Sequence, residues 1–166
     1  MEPSKKLLQL MASYVTGEDL EILDPFAGSG SSIKFLKKFA TNNCISACEL
    51  DQRLAAHLQK LPTIKFLCKD FWELDYTTKF DLIFMIPPHR DNQDCDWIVK
   101  AFQHLKKKPE SRLISLTLPY WVTGIYHNQK FFRKWLQDKN YKFKIIDESA
   151  YQDFLVCPEA LLVIQP

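Results

Sequence analysis

The hydrophobic positions of this chain switch between two spacings, and each switch marks an element. Between residues 3 and 15, Leu7, Leu8, Leu10, Met11 and Tyr14 recur at helical spacing behind Ser4, whose hydroxyl can cap a first turn; Gly17 ends the segment. Residues 20–24 are a short apolar run of strand type. A turn carrying Gly28 and Gly30 follows, then a helix through Ile33, Leu36, Lys37 and Phe39. The alternation continues, with strands predicted at 44–49, 64–68, 80–85, 113–118, 142–147 and 160–164. Helices are predicted between them at 52–60, 94–107 and 129–137.

Strands alternating with helices at this spacing predict βα units around a mainly parallel sheet, an α/β architecture. The last two strands are separated by residues 148–159, which carry no clear crossover helix. They are expected to pair antiparallel, because parallel neighbours need a crossover of about a dozen residues or more, usually helical. No internal repeat, low-complexity tract or interdomain linker interrupts the pattern.

Composition narrows the classes. A chain of 166 residues, 46% hydrophobic and 13% aromatic, can bury one core and does not resemble a disordered segment. No apolar run reaches the roughly 20 residues of a membrane helix. No apolar signal-peptide core follows Met1-Glu2-Pro3-Ser4-Lys5-Lys6, so a cytosolic or nuclear setting without a membrane partner is expected. The 5 cysteines, Cys44, Cys48, Cys68, Cys95 and Cys157, are odd in number and scattered, unlike a disulfide framework. Cys44 and Cys48 are close, but no second pair or nearby histidine completes a tetrahedral metal site; reduced core thiols and no metal are expected. A net charge of +2 does not announce a nucleic-acid binder. Lys106, Lys107 and Lys108, with Lys130, Arg133, Lys134, Lys139, Lys142 and Lys144, gather positive charge in the second half. That distribution reads as a phosphate-facing patch or, more in keeping with ordinary patterning, as solvated helix faces.

The candidate chemistry sits at strand ends. Asp24-Pro25-Phe26-Ala27-Gly28-Ser29-Gly30 leaves the first strand and opens a helix, and its glycines let the backbone approach a ligand where a Cβ would collide. A pyrophosphate loop is one reading, but Ile33 stands where its third glycine would be. Ala47-Cys48-Glu49-Leu50-Asp51 ends the second strand with an acid placed to accept from two ribose hydroxyls, or one that simply faces solvent. After the third strand, Asp70 is a ligand acid or a turn cap, and Phe71 a stacking ring or a core aromatic. The fourth strand runs into Ile86-Pro87-Pro88-His89.

These segments resemble class I S-adenosylmethionine-dependent methyltransferases, and among them the nucleic-acid amino-methyltransferases of N6-adenine type, whose motif I the Asp24 to Gly30 segment matches closely. The resemblance spans essentially the whole chain. It implies a Rossmann-like seven-stranded fold, mainly parallel with a C-terminal antiparallel strand, and one domain over 1–166 with no separate target-recognition domain. It also implies S-adenosylmethionine as cofactor. Asp24 would place the ammonium group, Phe26 and Gly28 would line the methionine part, and Ala27 and Gly30 would complete the loop. Glu49 would take the ribose with Leu50 beside it, Asp70 the adenine amino group, and Phe71 the ring.

The catalytic loop departs from the family pattern. Enzymes acting on an exocyclic amine carry Asn, Asp or Ser, then Pro-Pro, then an aromatic; the polar side chain and a prolyl carbonyl accept from the amine, and the aromatic stacks on a base swung out of its helix. Here Ile86 replaces the polar residue and His89 the aromatic, while Pro87-Pro88 is kept. The Pro87 carbonyl remains as an acceptor, and His89 can stack or act as a base near neutral pH. Two outcomes stay open: an active enzyme in which His89, Asp91 or Asn92 supplies the missing acceptor, or a cofactor-holding subunit without chemistry.

The resemblance implies an amino group on a nucleic-acid base as substrate, adenine N6 first, in DNA or RNA. Glu2-Pro3 is similar to a Thr-Pro element of one order of DNA adenine methyltransferases. Ribosomal-RNA guanine and protein glutamine methyltransferases share parts of the same motifs and remain alternatives. Without a base-reading module, recognition would fall to structured RNA, a single strand or a protein partner. Tyr120, Trp121 and Tyr126, with Lys130 and Arg133, are either a stacking and phosphate surface or a loop packed on its own core.

Overall fold

The computed structural model describes residues 3–39, 45–88, 93–146 and 159–166. Among these residues, five helices and seven strands follow in the order α1 (Lys5–Ala12), β1 (Ile22–Asp24), α2 (Ser31–Leu36), β2 (Ile45–Cys48), α3 (Gln52–Leu58), β3 (Ile64–Cys68), β4 (Leu82–Met85), α4 (Asp94–Gln103), β5 (Arg112–Thr117), α5 (His127–Leu136), β6 (Asn140–Ile145) and β7 (Ala160–Gln165). Ser4 caps α1 as expected, accepting from the Leu7 N–H at 3.2 Å. Single 3-10 turns at Lys37–Phe39, Phe71–Glu73 and Pro119–Trp121 link the larger elements.

The 7-stranded sheet has the order β3-β2-β1-β4-β5-β7-β6. β1 to β5 are mutually parallel, and β7 runs antiparallel to β5 on one side and β6 on the other. The expected antiparallel closure is therefore present, with β7 inserted between β5 and β6. The chain moves outward from β1 through β2 to β3, then returns to start β4 on the other side of β1. That reversal puts a crevice at the C-terminal ends of β1 and β4, where sheets of this kind take ligands.

Strand alternation divides the core. Leu82 and Phe84 face α1, α2 and α3, packing with Met11, Ile33 and Leu58, while Ile83 and Met85 face α4 and α5 with Ile98 and Phe132. β4 is buried at every position, as a central parallel strand covered on both faces should be.

Two expectations needed correction. The helix predicted at 94–107 ends at Gln103 because the chain turns back to the sheet: the Phe80 N–H donates to the His104 carbonyl at 2.9 Å, and the Lys106 N–H to the Phe80 carbonyl at 2.9 Å. The lysines that follow lie beyond the helix, and two of them, Lys106 and Lys108, are held by carboxylates. Lys106 bonds to Glu21 and, at 2.8 Å, to Asp81, which Lys108 reaches at 3.2 Å. Burial alone would push the Asp81 carboxyl up, but the bonds from Lys106, the Glu21 N–H and Lys108 outweigh it and hold it below the usual carboxylate range. This cluster lies at the N-terminal ends of β1 and β4, away from the crevice. Among the described residues, no helix is long and apolar enough to cross a membrane.

Candidate functional site

The sheet brings the predicted site residues together at the C-terminal ends of β1, β2 and β3. Asp24 is the last residue of β1 and is 2% exposed. Its carboxylate is fixed from two sides, accepting from the Phe26 N–H at 3.1 Å and from the Ser32 hydroxyl on the first turn of α2. Burial raises its pKa to about 6, against the lowering effect of those two bonds; the nearby Glu49 charge adds to the rise. A carboxyl in that condition favours a cation beside it. Ser32 carried no sequence signal beyond its place in a helix opening.

The glycine loop is held open over this carboxylate. Gly28 and Gly30 adopt φ of +55° and +82°, conformations that L side chains rarely take. A Cβ on Gly30 would come within 3.2 Å of Leu58, so that glycine serves close helix packing. A Cβ on Gly28 would meet nothing within 4 Å, so the backbone there borders free space. The loop is tied to the second strand by Ala27, whose N–H donates to the Cys48 carbonyl at 3.1 Å.

Glu49 completes the tie. Its carboxylate accepts from the Gly28 N–H at 2.7 Å through one oxygen and from the Asp51 N–H at 2.8 Å through the other. This is an organised, half-buried carboxylate at the mouth of the glycine loop. Each oxygen keeps a further lone pair for a ligand hydroxyl. Leu50 follows it with 72% exposure, an apolar side chain standing free beside the acid.

At β3, Asp70 caps a turn through one carboxylate oxygen, and Phe71 packs in the core. Asp70 accepts from the Trp72 N–H at 2.9 Å and caps the turn Phe71–Glu73, while remaining half-buried. Phe71 is 2% exposed, its ring enclosed by Phe26 at 5.8 Å, Trp97 at 6.1 Å and His104 at 5.4 Å. Its contribution is packing: it backs Phe26, which also meets Trp97 edge-on at 5.1 Å. Trp97, read from the sequence only as a core position, thus orients an aromatic of the loop.

The end of β4 is built differently. Ile86 continues the strand alternation and packs on the α1–α3 side of the core; Pro87 is buried and Pro88 exposed. His89, Asp91 and Asn92, the candidate substitute acceptors, lie outside the described residues, as does Glu2. Beyond them, the sequence reading missed Asp94. It is 2% exposed, and one of its oxygens accepts from both the Thr117 hydroxyl at 2.6 Å and the Leu118 N–H at 2.9 Å, fixing the start of α4 to the end of β5.

The aromatic segment after β5 divides. Trp121 is 5% exposed and meets Phe132 at 5.2 Å and Phe143 at 5.0 Å, so it belongs to the core and does not present a stacking face. Arg133 turns inward, donating to the carbonyls of Trp121 and, at 2.8 Å, Gly124, so its guanidinium is not offered to phosphate. Tyr120 stays 44% exposed and Tyr126 64%. The cysteine expectation holds for Cys48 and Cys95, which are buried free thiols; burial pushes both well above the ordinary thiol range. Cys48 sits 3.4 Å from Cys68 of the neighbouring strand. Cys44 and Cys157 lie outside the described residues.

No family model and no curated sequence matches the chain. Solved structures are similar to it. The type I restriction-modification methyltransferase subunit of Streptococcus thermophilus matches 99% of this chain with a TM-score of 0.78 at 12% identity. A dimethyladenosine transferase of Plasmodium falciparum matches 100% of it with a TM-score of 0.71 at 11% identity. The chain spans only 44% and 62% of those two proteins. A plantazolicin methyltransferase solved in complex with SAH matches 96% of it, with a TM-score of 0.62 at 11% identity. The fold is thus the mainly parallel, Rossmann-like seven-stranded fold of these methyltransferases.

Proposed function

We propose that this chain is an S-adenosylmethionine-dependent N-methyltransferase acting on an amino group of a nucleic-acid base, with adenine N6 the favoured atom. The observation that carries the cofactor is the Glu49 carboxylate bonded to the Gly28 N–H, with free space where a Gly28 side chain would stand. A negative, hydrogen-bonding mouth beside an open backbone loop fits a ligand with a diol and a cationic amino acid end. Glu49 would accept from the ribose hydroxyls, Asp24 would attract the ammonium group, and Leu50 would cover the adenine with Asp70 at its amino edge. When bound, the cofactor supplies an electrophilic methyl group on a sulfonium.

The chain's own part in transfer would be positional. The Pro87 carbonyl would accept from the target amine and direct its lone pair, and Pro88 and His89 would flank the base. Nucleic acid is the proposed partner, and a protein supplying target recognition a further one. The dimethyladenosine transferase, a protein longer than this chain, favours an adenine substrate by analogy of fold.

A second reading has an observation of its own. Ile86, half-buried, packs against the core where the family's polar acceptor would stand, so half of the amine-binding apparatus is apolar. On that reading the chain holds the cofactor as a catalytically inactive subunit. Methyl transfer from tritiated S-adenosylmethionine to DNA, RNA and protein pools separates the two. Label in base amino groups supports the enzyme; cofactor binding without label in any pool supports the inactive subunit.

A further inference from the structure

Charge is unevenly divided over the molecule. α1, α2 and α3 cover one face of the sheet, packing through Met11, Ile33 and Leu58. α2 lies against α1, and Gly30 at its start comes close to Leu58 of α3. Lys5 and Lys6 stand on α1, Lys34 on α2, Lys37 and Lys38 in the turn that continues it, and Arg53 on α3; all six are exposed. None of these elements contains an acidic residue, and residues 3–17, 25–48 and 52–69 have no Asp or Glu. Six positive charges exceed the +2 of the whole chain, so the remainder is net acidic. A small net charge here hides a segregated one.

Local structure works against these cations at two places. Lys5 and Lys6 lie in the first turn of α1, where the helix dipole favours acids and none is present. Lys34 has like charges three and four positions on, at Lys37 and Lys38, a spacing that costs helix stability. No carboxylate among the described residues forms an ion pair with Lys5, Lys6, Lys34 or Lys37. The cations of the second half differ. Lys106 and Lys108 are held by carboxylates and Arg133 by carbonyls, while Lys134 sits in the last turn of α5, where the dipole favours it.

The same face lacks what other partners need. The exposed large apolar side chains among the described residues, such as Leu50, Trp72 and Tyr120, all lie outside α1, α2 and α3. A helix that enters a membrane surface needs an apolar face beside its cations, and protein interfaces are anchored by aromatic or apolar groups. Cations without such anchors match a phosphodiester backbone, which offers regular charge independent of sequence. We propose that the face formed by α1, α2 and α3 holds the backbone of a nucleic acid, a placement that rests on the partner proposed above. α2 starts directly after the glycine loop and α3 directly after Asp51, so the face borders the crevice. Lys37 lies about 10 Å of helix beyond Gly30. A strand held on this face is led to the crevice mouth.

The test is fluorescence anisotropy of the full chain with labelled single-stranded RNA, single-stranded DNA and duplex DNA, from about 50 to about 200 mM salt. With roughly four to six phosphates engaged, log affinity for a single strand should fall against log salt with a slope of about −3 to −4. Lys5→Gln, Lys34→Gln and Lys37→Gln together should flatten that slope by about 2 and weaken binding at low salt at least about tenfold. The triple variant Lys107→Gln, Lys130→Gln and Lys134→Gln, equal in net charge, should change neither. Should the first triple fail to fold by circular dichroism, Lys6→Gln with Lys38→Gln takes its place and should flatten the slope by about 1.4. Methyl transfer has no part in this readout. A chain that binds without transferring methyl supports the surface while the proposed activity fails; a methylating chain whose binding ignores the α1 and α2 lysines overturns the surface alone. No nucleic-acid binding at low salt, equal loss in both triples, a loss confined to the second triple, or binding of phosphatidylserine vesicles in place of nucleic acid would each overturn it as well.

Discussion

The strand ends of β1 and β2 and the strand end of β4 lie side by side in the sheet, yet they are built in opposite ways. At β1 and β2, two carboxylates brace an open loop: Asp24 accepts from the Ser32 hydroxyl and Glu49 from the Gly28 N–H. At β4, the backbone runs from a buried strand into Ile86, half-buried against the apolar core, and the buried Pro87. The first is arranged to hold a polar ligand; the second keeps a loop shape without its polar side chain. On the proposed function, holding a cofactor and using it would therefore be separable properties, residing on different strands.

The largest effect is expected at Gly28. Gly28→Trp places an indole in the space the loop keeps clear, and S-adenosylhomocysteine affinity should fall more than about a hundredfold, measured by calorimetry. The fold should survive at a cost of about 1–2 kcal/mol for the positive φ. Retained binding would break the assignment of the loop. Glu49→Ala comes next, with an expected loss of about ten- to a hundredfold, the worth of one or two charge-assisted hydrogen bonds.

The β4 side is probed by repair. Ile86→Asn restores the polar residue and should raise methyl transfer to adenine-containing substrates about tenfold, as one added hydrogen bond would, while leaving calorimetric cofactor affinity unchanged. The buried amide should lower stability by about 1–3 kcal/mol. An unaltered rate would show that the loop is limited by something other than position 86.

The smallest effect is the pH dependence set by Asp24. Its pKa is raised to about 6 in the free protein, and a ligand ammonium favours the ionised form. Protonation therefore opposes binding: affinity should be flat above about pH 7 and fall up to tenfold between pH 7 and pH 5, a dependence that Asp24→Asn removes. The stability sign is opposite. The buried carboxylate costs the free fold roughly 3 kcal/mol above pH 6, and that cost is relieved as pH falls from 6 toward 3.8. Chemical denaturation of wild type and Asp24→Asn across that range measures it.

The fold and the holding half of the site were legible in the sequence because they follow from local patterns. Periodicity located each strand, and the glycine spacing after Asp24 and the acid after β2 marked the ligand loop. What was not legible depends on distant contacts. Whether Phe71 and Trp121 are core rings or exposed faces is decided by Trp97, Phe132 and Phe143, residues far away in the chain. Asp94 carried no signal of its own, because its partner Thr117 comes from β5, 23 residues along the chain. The Lys106–Lys108 run read as a solvated helix face or a phosphate patch, and neither reading could show that Asp81 and Glu21 take Lys106 and that Asp81 also takes Lys108.

Calorimetric titration of the wild-type chain with S-adenosylmethionine and S-adenosylhomocysteine at pH 7.5 is the most direct measurement. Saturable one-to-one binding of both, lost in Gly28→Trp and sharply weakened in Glu49→Ala, is the expected result. A folded wild-type chain that binds neither ligand would contradict the assignment of the Asp24 to Gly30 loop as a cofactor site.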